Sequence, residues 1–420
     1  MILDPYKYNR LFIKLPNEII YTVKRFKCNS TTLKSTFIKA NHKNKIPVKY
    51  IPDLDKAQYI LENGIRKVEP YYFEYIAHTK DRWVGRTILE VLTTDFRDRN
   101  KAYFERAIEN GFITINNQPI TVDTLFQVGD RMEHKVHRHE PPVPEQLDII
   151  HKDNDLIVVN KPGGIPPHPA GRYRHNTVLH LLKKYHHIPK LHLINRLDRL
   201  TSGLMLFGLN SETTKKLHRE MNQGQIKKEY ICRVDGEFPK EPIVCEAPIG
   251  PISFKFSFQY VDFNKENGKQ CTTLFERLSY NGRTSVVKCQ PVTGRTHQIR
   301  VHLRYLGYPI SNDPIYGHGS PWSSLIDHID PYNHNTPSTQ NVIDKMLEHT
   351  TYDSLDPSDG QPRCHECHTL LISDPQPYQS LGIWLHSKKY SGPDWSFKTG
   401  NPLWAHEDFD GDMNIDPAYM

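Results

Sequence analysis

Apolar residues recur along this chain at two spacings, and each predicts a different element. Ala102, Tyr103, Phe104, Ala107 and Ile108 repeat at helical intervals, and Gly111 follows as a helix-ending residue. Phe112-Ile-Thr-Ile115, a turn at Asn116-Asn117 and Ile120-Thr-Val122 predict a hairpin, with another turn at Gly129-Asp130. Leu156–Asn160, Leu204–Gly208 and Tyr230–Val234 read as short strands. Asn176 is placed to cap a helix whose buried face is Val178, Leu179, Leu182 and Tyr185. Ser211 is placed to cap a second, ended by Gly224. Strands and helices do not alternate as regular βαβ units. The expected fold class is therefore α+β around a mixed or antiparallel sheet.

Composition divides the chain further. Residues 1–50 hold eleven Lys/Arg and two acids, while the rest sums to about −3 of the total +6. This basic segment is expected to be an RNA-binding arm, a solvated tail or a mitochondrial transit peptide. Residues 51–82 give weak signals and read as a lead-in. Residues 83–137 form a small domain, and 138–146, with Glu140-Pro-Pro-Val-Pro-Glu-Gln146, a stiff Pro-rich linker. A larger domain spans 147–406, with a surface insertion over 320–376 rich in Pro, Asp, Ser, Asn, Thr and His. Residues 407–420 read as a frayed acidic tail.

A mean hydropathy of −0.63 and no apolar run near 20 residues argue against a membrane-spanning chain. No stretch has the layout of a secretory signal. Seven cysteines, scattered except for Cys364 and Cys367, point to a reducing compartment. The expected location is cytoplasm or nucleus, with the mitochondrion as the alternative. Cys364-His-Glu-Cys-His368 matches a c-type haem attachment string, read here as a coincidence. A zinc knuckle completed by His365, His368 or His386 is weighed, but one CxxC is too little for a closed site. No metal is expected.

The chemistry concentrates in Asn195-Arg-Leu-Asp-Arg-Leu-Thr-Ser-Gly203, where an acid sits between two arginines ahead of Thr-Ser-Gly. Flanking Arg keeps such a carboxylate ionised, and the Thr and Ser hydroxyls are expected to hold its loop. An ionised, positioned carboxylate is a competent nucleophile. In Gly294-Arg-Thr-His-Gln-Ile-Arg-Val-His302 a helix can start near Thr296, with Ile299, Leu303 and Leu306 inward and Arg300 and Arg304 on a neighbouring face. His297 and His302 read as hydrogen-bonded helical histidines, not as metal ligands.

Arg196-Leu-Asp-Arg-Leu-Thr-Ser-Gly resembles the HRLDxxTSG signature of the RluA-type pseudouridine synthases, with Asn195 in place of the usual His. Three more segments match in order. They are Asn160-Lys-Pro-Gly-Gly with His168-Pro169, Lys228-Glu-Tyr230, and Gly294–His302 continuing to Asp313 and Tyr316-Gly317. The resemblance implies isomerisation of uridine to pseudouridine in RNA, without cofactor or metal. It implies Asp198 as nucleophile, Tyr230 against the uracil, and Arg300, or else Arg295, paired with Asp198. It further implies Arg196, Arg199, Thr201, Lys161, His168, His297 and Gln298 as residues meeting the substrate. Gly111-Phe-Ile-Thr-Ile-Asn-Asn117 and Gly129-Asp130 resemble the cadence of the small RNA-binding domain named after a small-subunit ribosomal protein. The C-terminal Trp384–Tyr390 stretch resembles the eukaryotic branch acting on tRNA anticodon loops, and on mRNA. Ribosomal RNA is the alternative substrate. A silent RNA-binding module of the same fold is the alternative to an enzyme.

Overall fold

Short strands and capped helices build the molecule from residue 57 onward. The computed structural model describes residues 57–409, except 97–98, 189, 253–257 and 265–267. Within 328–380 it describes only 329, 331–332, 341, 345, 360, 362–367 and 369–371. The basic segment 1–50, residues 410–420 of the tail and most of the insertion lie outside the described residues.

The expected lead-in is not featureless. It contains β1 (Tyr59–Glu62), β2 (Ile65–Val68) and β3 (Tyr71–His78). Helices α1 (Ile88–Asp95) and α2 (Lys101–Glu109) follow, then β4 (Ile113–Ile115), β5 (Gln118–Pro119) and β6 (Arg131–Arg138). Strand β3 pairs with β6 from Tyr71↔Arg138 to His78↔Arg131, so the small domain's sheet starts well before residue 83. Its order is β3-β6-β4-β5. The turn at Asn116 and Asn117, both at positive φ (53° and 59°), is of the primed kind that suits a tight hairpin. The returning arm is only Gln118–Pro119, because Ile120 and Val122 pack instead on a core of Trp83, Ile88, Leu92, Phe104 and Phe126.

The Pro-rich segment is also structured. Val143–Pro144 forms β7 against β2. The buried Glu140 carboxylate accepts the Tyr71 hydroxyl at 2.6 Å and the backbone N–H groups of Arg174, His175 and Asn176 at 2.8–2.9 Å. A carboxylate with that many donors fixes the junction rather than spacing it.

Strand β8 (Asp148–Lys152) opens the large sheet, followed by β9 (Leu156–Lys161), α3 (Val178–His186), β10 (His192–Leu193) and β11 (Ser202–Gly208). Next come α4 (Ser211–Asn222), β12 (Lys227–Asp235), β13 (Ile243–Cys245), β14 (Ile249–Pro251) and β15 (Gln259–Val261). Then follow β16 (Thr273–Tyr280), β17 (Thr284–Pro291), α5 (Gln298–Tyr305), α6 (Ser323–Asp327), β18 (Leu385–Ser391) and β19 (Ser396–Lys398). The caps fall one residue from expectation: Thr177 caps α3 and Asn210 caps α4, while Asn176 is buried and donates to the carbonyls of Arg66 and Pro141. Leu181 takes the buried place expected of Tyr185, which instead bonds Arg66 at 2.8 Å.

The sheet runs β13-β16-β17-β12-β18-β11-β9-β8, with β10 on β11 and β19 on β18. Every pairing is antiparallel except β11 with β18. The mixed sheet of an α+β fold is thus present. Strand β18 inserts between β11 and β12, so Ser387 opposes both Gly203 and Tyr230. A Cβ on Gly203 would lie 2.2–2.8 Å from the Ser387 backbone, and its φ of 112° is left-handed, so only glycine fits this approach. Of the expected acidic tail, Phe409 packs edge-on against Trp384 at 5.3 Å.

Candidate active site

The loop between β10 and β11 carries Asp198, and it is tied down from several sides. Thr201 N–H donates to the Asp198 carbonyl at 3.1 Å, closing a turn. The Arg199 carbonyl accepts Gly164 N–H at 2.8 Å and Lys161 Nζ at 3.0 Å, and the Leu200 carbonyl accepts Ile383 N–H at 3.0 Å. Gly163 and Gly382 meet so closely beside the Leu200 carbonyl that a Cβ on either would collide. The expected hydroxyl support is absent. Thr201 Oγ1 is buried without a hydrogen-bond partner among the described residues, and Ser202 Oγ turns to His386 Nδ1 at 2.8 Å.

Asn195 anchors the start of the loop. Its Oδ1 accepts Leu206 N–H at 2.8 Å, and its Nδ2 donates to the Leu204 carbonyl and the Tyr390 hydroxyl, each at 3.2 Å. The Tyr390 hydroxyl lies 2.8 Å from that of Tyr230, on the neighbouring strand. Burial first, then the Tyr390 dipole and the Asp198 charge, push the Tyr230 phenol far up, so it is neutral.

Helix α5 delivers the positive charge. His297 caps its N-terminus with φ 55°, a conformation that costs a non-glycine residue about 1–3 kcal/mol. Its Nδ1 meets the Tyr316 hydroxyl at 2.9 Å, and its Nε2 lies 3.7 Å from Asp198 Oδ2. Arg300, 2% exposed, donates Nε and Nη2 to Asp313 at 2.7 and 2.9 Å, and Nη1 to Asp198 Oδ2 at 3.3 Å. Burial alone would raise the Asp198 carboxyl, but positive neighbours outweigh it and hold it below the usual range. Burial and then Arg300 push His297 down to about 4, so it is neutral at pH 7 and Arg300 is the working counter-charge. The Asp198 side chain still keeps 31% of its surface open.

The other expected residues separate. Arg295 is exposed, and its guanidinium reaches the Gln270 carbonyl at 3.4 Å and, among the described residues, makes no contact with Asp198. Gln298 is fully engaged inside, with Thr293, Thr272, Thr273 and Arg295 N–H. Lys161 is wholly buried and gives its three donors to the carbonyls of Pro162, Ile165 and Arg199. Both brace loops from the interior. Thr201, 2% exposed, is likewise interior. Arg196 is exposed, with half-buried His168 close enough that its charge, after burial, lowers the imidazole pKa. Arg199 lies over the Tyr173 ring at 5.5 Å. His302 is buried between Thr273 and the Ala247 carbonyl, as expected. Asp313 and Tyr390 lie in motif segments, but no local pattern gives them a role; only tertiary placement joins them to Arg300 and Tyr230.

Residues 155–305 match the family model for RNA pseudouridylate synthases. The chain is 38% identical to the mouse pseudouridylate synthase RPUSD2 over 84% of this chain and 74% of that protein. It is 36% identical to the tRNA pseudouridine(32) synthase, mitochondrial, of Saccharomyces cerevisiae, covering 82% and 78%. It is 31% identical to the tRNA pseudouridine(31) synthase of the same yeast, covering 83% and 97%. With resemblance of this extent, the chain belongs to the RluA-type RNA pseudouridylate synthase family and is an isomerase that converts uridine in RNA to pseudouridine.

Proposed function

We propose that Asp198 is the group that attacks or assists at C1′ of the target uridine. The observation that carries this reading is a carboxylate kept ionised by buried Arg300 yet 31% open to an incoming nucleotide. The N1–C1′ glycosidic bond breaks, the uracil turns, C5 bonds to C1′, the C5 proton leaves and N1 takes up a proton, so that the product is an isomer of the substrate. Extruding the base costs a few kcal/mol in a duplex and less in a loop. The Tyr230 ring supports the turned uracil, and exposed Arg196 fills the gap in the RNA.

The proposed RNA is tRNA, at the anticodon loop around position 32. Support comes from two yeast relatives named for tRNA positions 32 and 31. Loop uridines also cost least to extrude. The word mitochondrial in one relative's name, with the basic, acid-poor residues 1–50, supports an organellar destination. Among the described residues no helix is long and apolar enough to cross a membrane.

The test is Asp198→Asn on a tRNA anticodon stem-loop, followed by pseudouridine mapping. Product is expected to vanish while RNA affinity stays within a few-fold, because phosphate contacts dominate binding. Turnover near wild type would remove Asp198 from the chemistry. Conversion of ribosomal RNA but not tRNA by the wild-type chain would replace the substrate alone.

A further inference from the structure

Two segments far apart in the chain, 137–139 and 364–367, meet on the outer face of the small domain's sheet. Side chains alternate along a strand, so His137 and His139 leave that face together, while Met132 and His134 face helix α2 and its core. The two imidazoles are 4.8 Å apart and nearly perpendicular, at 84°. Opposite them, Cys364 and Cys367 sit at the ends of a tight turn. Its stem is closed by Cys364 N–H donating to the Thr369 carbonyl at 2.9 Å and by an Arg363↔Leu370 bridge. Cys364 Sγ lies 3.7 Å from His137 Nδ1, and Cys367 Sγ lies 3.3 Å from His139 Nε2. All four ligand atoms fall within 4.8 Å of one another.

We propose that His137, His139, Cys364 and Cys367 bind a structural zinc ion. Bonds of about 2.3 Å to sulfur and 2.0–2.1 Å to nitrogen set tetrahedral edges of about 3.5 Å; the two sulfur–nitrogen separations, 3.7 and 3.3 Å, already match them, and the widest, within 4.8 Å, closes by about an ångström on binding. Binding releases the two thiol protons, leaving a neutral Cys₂His₂ centre. The Glu366 carboxylate lies 3.9 Å from His137 Nε2, the ring nitrogen that does not face Cys364, and accepts the Tyr72 hydroxyl at 2.8 Å. A carboxylate behind a ligating imidazole orients the ring and raises its basicity. Of the three histidines weighed for a knuckle, His365 is 90% exposed and His386 is buried between Ser202 and Thr399, so neither joins this cluster. His368 lies outside the described residues.

The ion supplies what packing does not. Among the described residues beside the turn, Leu370 and Leu371 are 36% and 40% exposed, so their apolar burial holds the turn to the sheet only in part. A metal closing so long a loop contributes where such burial is partial. The site thus staples the insertion of the catalytic domain to the small domain.

The test uses the full chain purified without chelators. Elemental analysis is expected to find about one zinc per chain, falling at least fivefold in the Cys364→Ser/Cys367→Ser double variant. Should that variant fail to fold, cobalt replacement in the wild-type chain still decides. Tetrahedral visible bands and a thiolate charge-transfer band are expected, and His139→Cys should strengthen the latter by about half, as two thiolates become three. Absence of stoichiometric zinc together with an octahedral cobalt spectrum would overturn the site. So would full zinc retention in the double variant.

Discussion

Arg300 gives two of its donors to Asp313, at 2.7 and 2.9 Å, and one to Asp198, at 3.3 Å. The bidentate contact is the shorter and fixes the plane of the guanidinium, so Asp313 aims the charge that Asp198 feels. Asp313 is itself held by the N–H groups of Ile315 and Tyr316. In Asp313→Asn we expect single-turnover rates to fall about 10–100-fold with RNA affinity little changed, since small misplacements in a site are costly. The acid limb of the pH–rate profile should also move down, because the Asp313 charge opposes ionisation of Asp198. A packing defect would slow the enzyme without that shift.

Tyr230 can be divided into its ring and its hydroxyl. Tyr230→Phe removes the 2.8 Å contact with Tyr390 but leaves that hydroxyl its Asn195 donor, so the variant should fold and react a few-fold slower. Tyr230→Leu also loses the aromatic face, worth about 1–3 kcal/mol per stacked base. Single-turnover assays on a short RNA loop should rank Phe clearly above Leu. Equal rates would remove the stacking role.

What could be read from sequence was what local pattern encodes. The strands around Leu156–Asn160 and Leu204–Gly208, helix α2, the Asp198 loop and the Arg300 helix all lie where their patterns place them. Strand β3 has no clear signature because Tyr71–His78 is largely exposed and lacks clean alternation. The bracing contacts of Lys161 and Gln298 are not legible, because a polar residue in a functional motif reads the same whether it faces substrate or braces a loop. Arg295 and Arg300 are alike in sequence, and only the helix start at His297 turns one outward and one in. The pairing of Asn195 with Tyr390, and of His137 and His139 with the two cysteines, joins residues about two hundred apart and has no local signature.

The basic residues 1–50 offer a separate test. If they grip RNA as an arm, their removal should flatten the log–log salt dependence of binding by about 0.7 per lost phosphate contact on single strands. Turnover at saturating RNA should change little, since Asp198, Tyr230 and Arg300 lie elsewhere. If they are a transit segment, the native protein should start beyond them. N-terminal sequencing with paired salt titrations separates the two, and an unchanged slope with an intact N-terminus would defeat both.

Three buried histidines make stability depend on pH. Burial first, and then a cationic neighbour, push each down to about 4: Arg99 beside His134, Arg300 beside His297, and Lys388 and Lys161 near His386. Unfolded, each titrates near pH 6.5. Between about 6.5 and 4 the unfolded chain therefore binds protons that the folded chain refuses. Stability then rises with pH across this window and is lost as pH falls through it. The depressed Asp198 carboxyl acts in the same direction, but only below its ordinary range. Each histidine contributes a slope of up to about 1.4 kcal/mol per pH unit. Urea midpoints should thus drop steeply between about pH 6.5 and 5, and His386→Gln should flatten the slope by about one proton's worth. His386 is the variant to choose, because it bonds Ser202 and Thr399 and makes no contact with Asp198 among those described. A midpoint unchanged from neutral pH to about 5 would mean that these imidazoles take up protons while still folded.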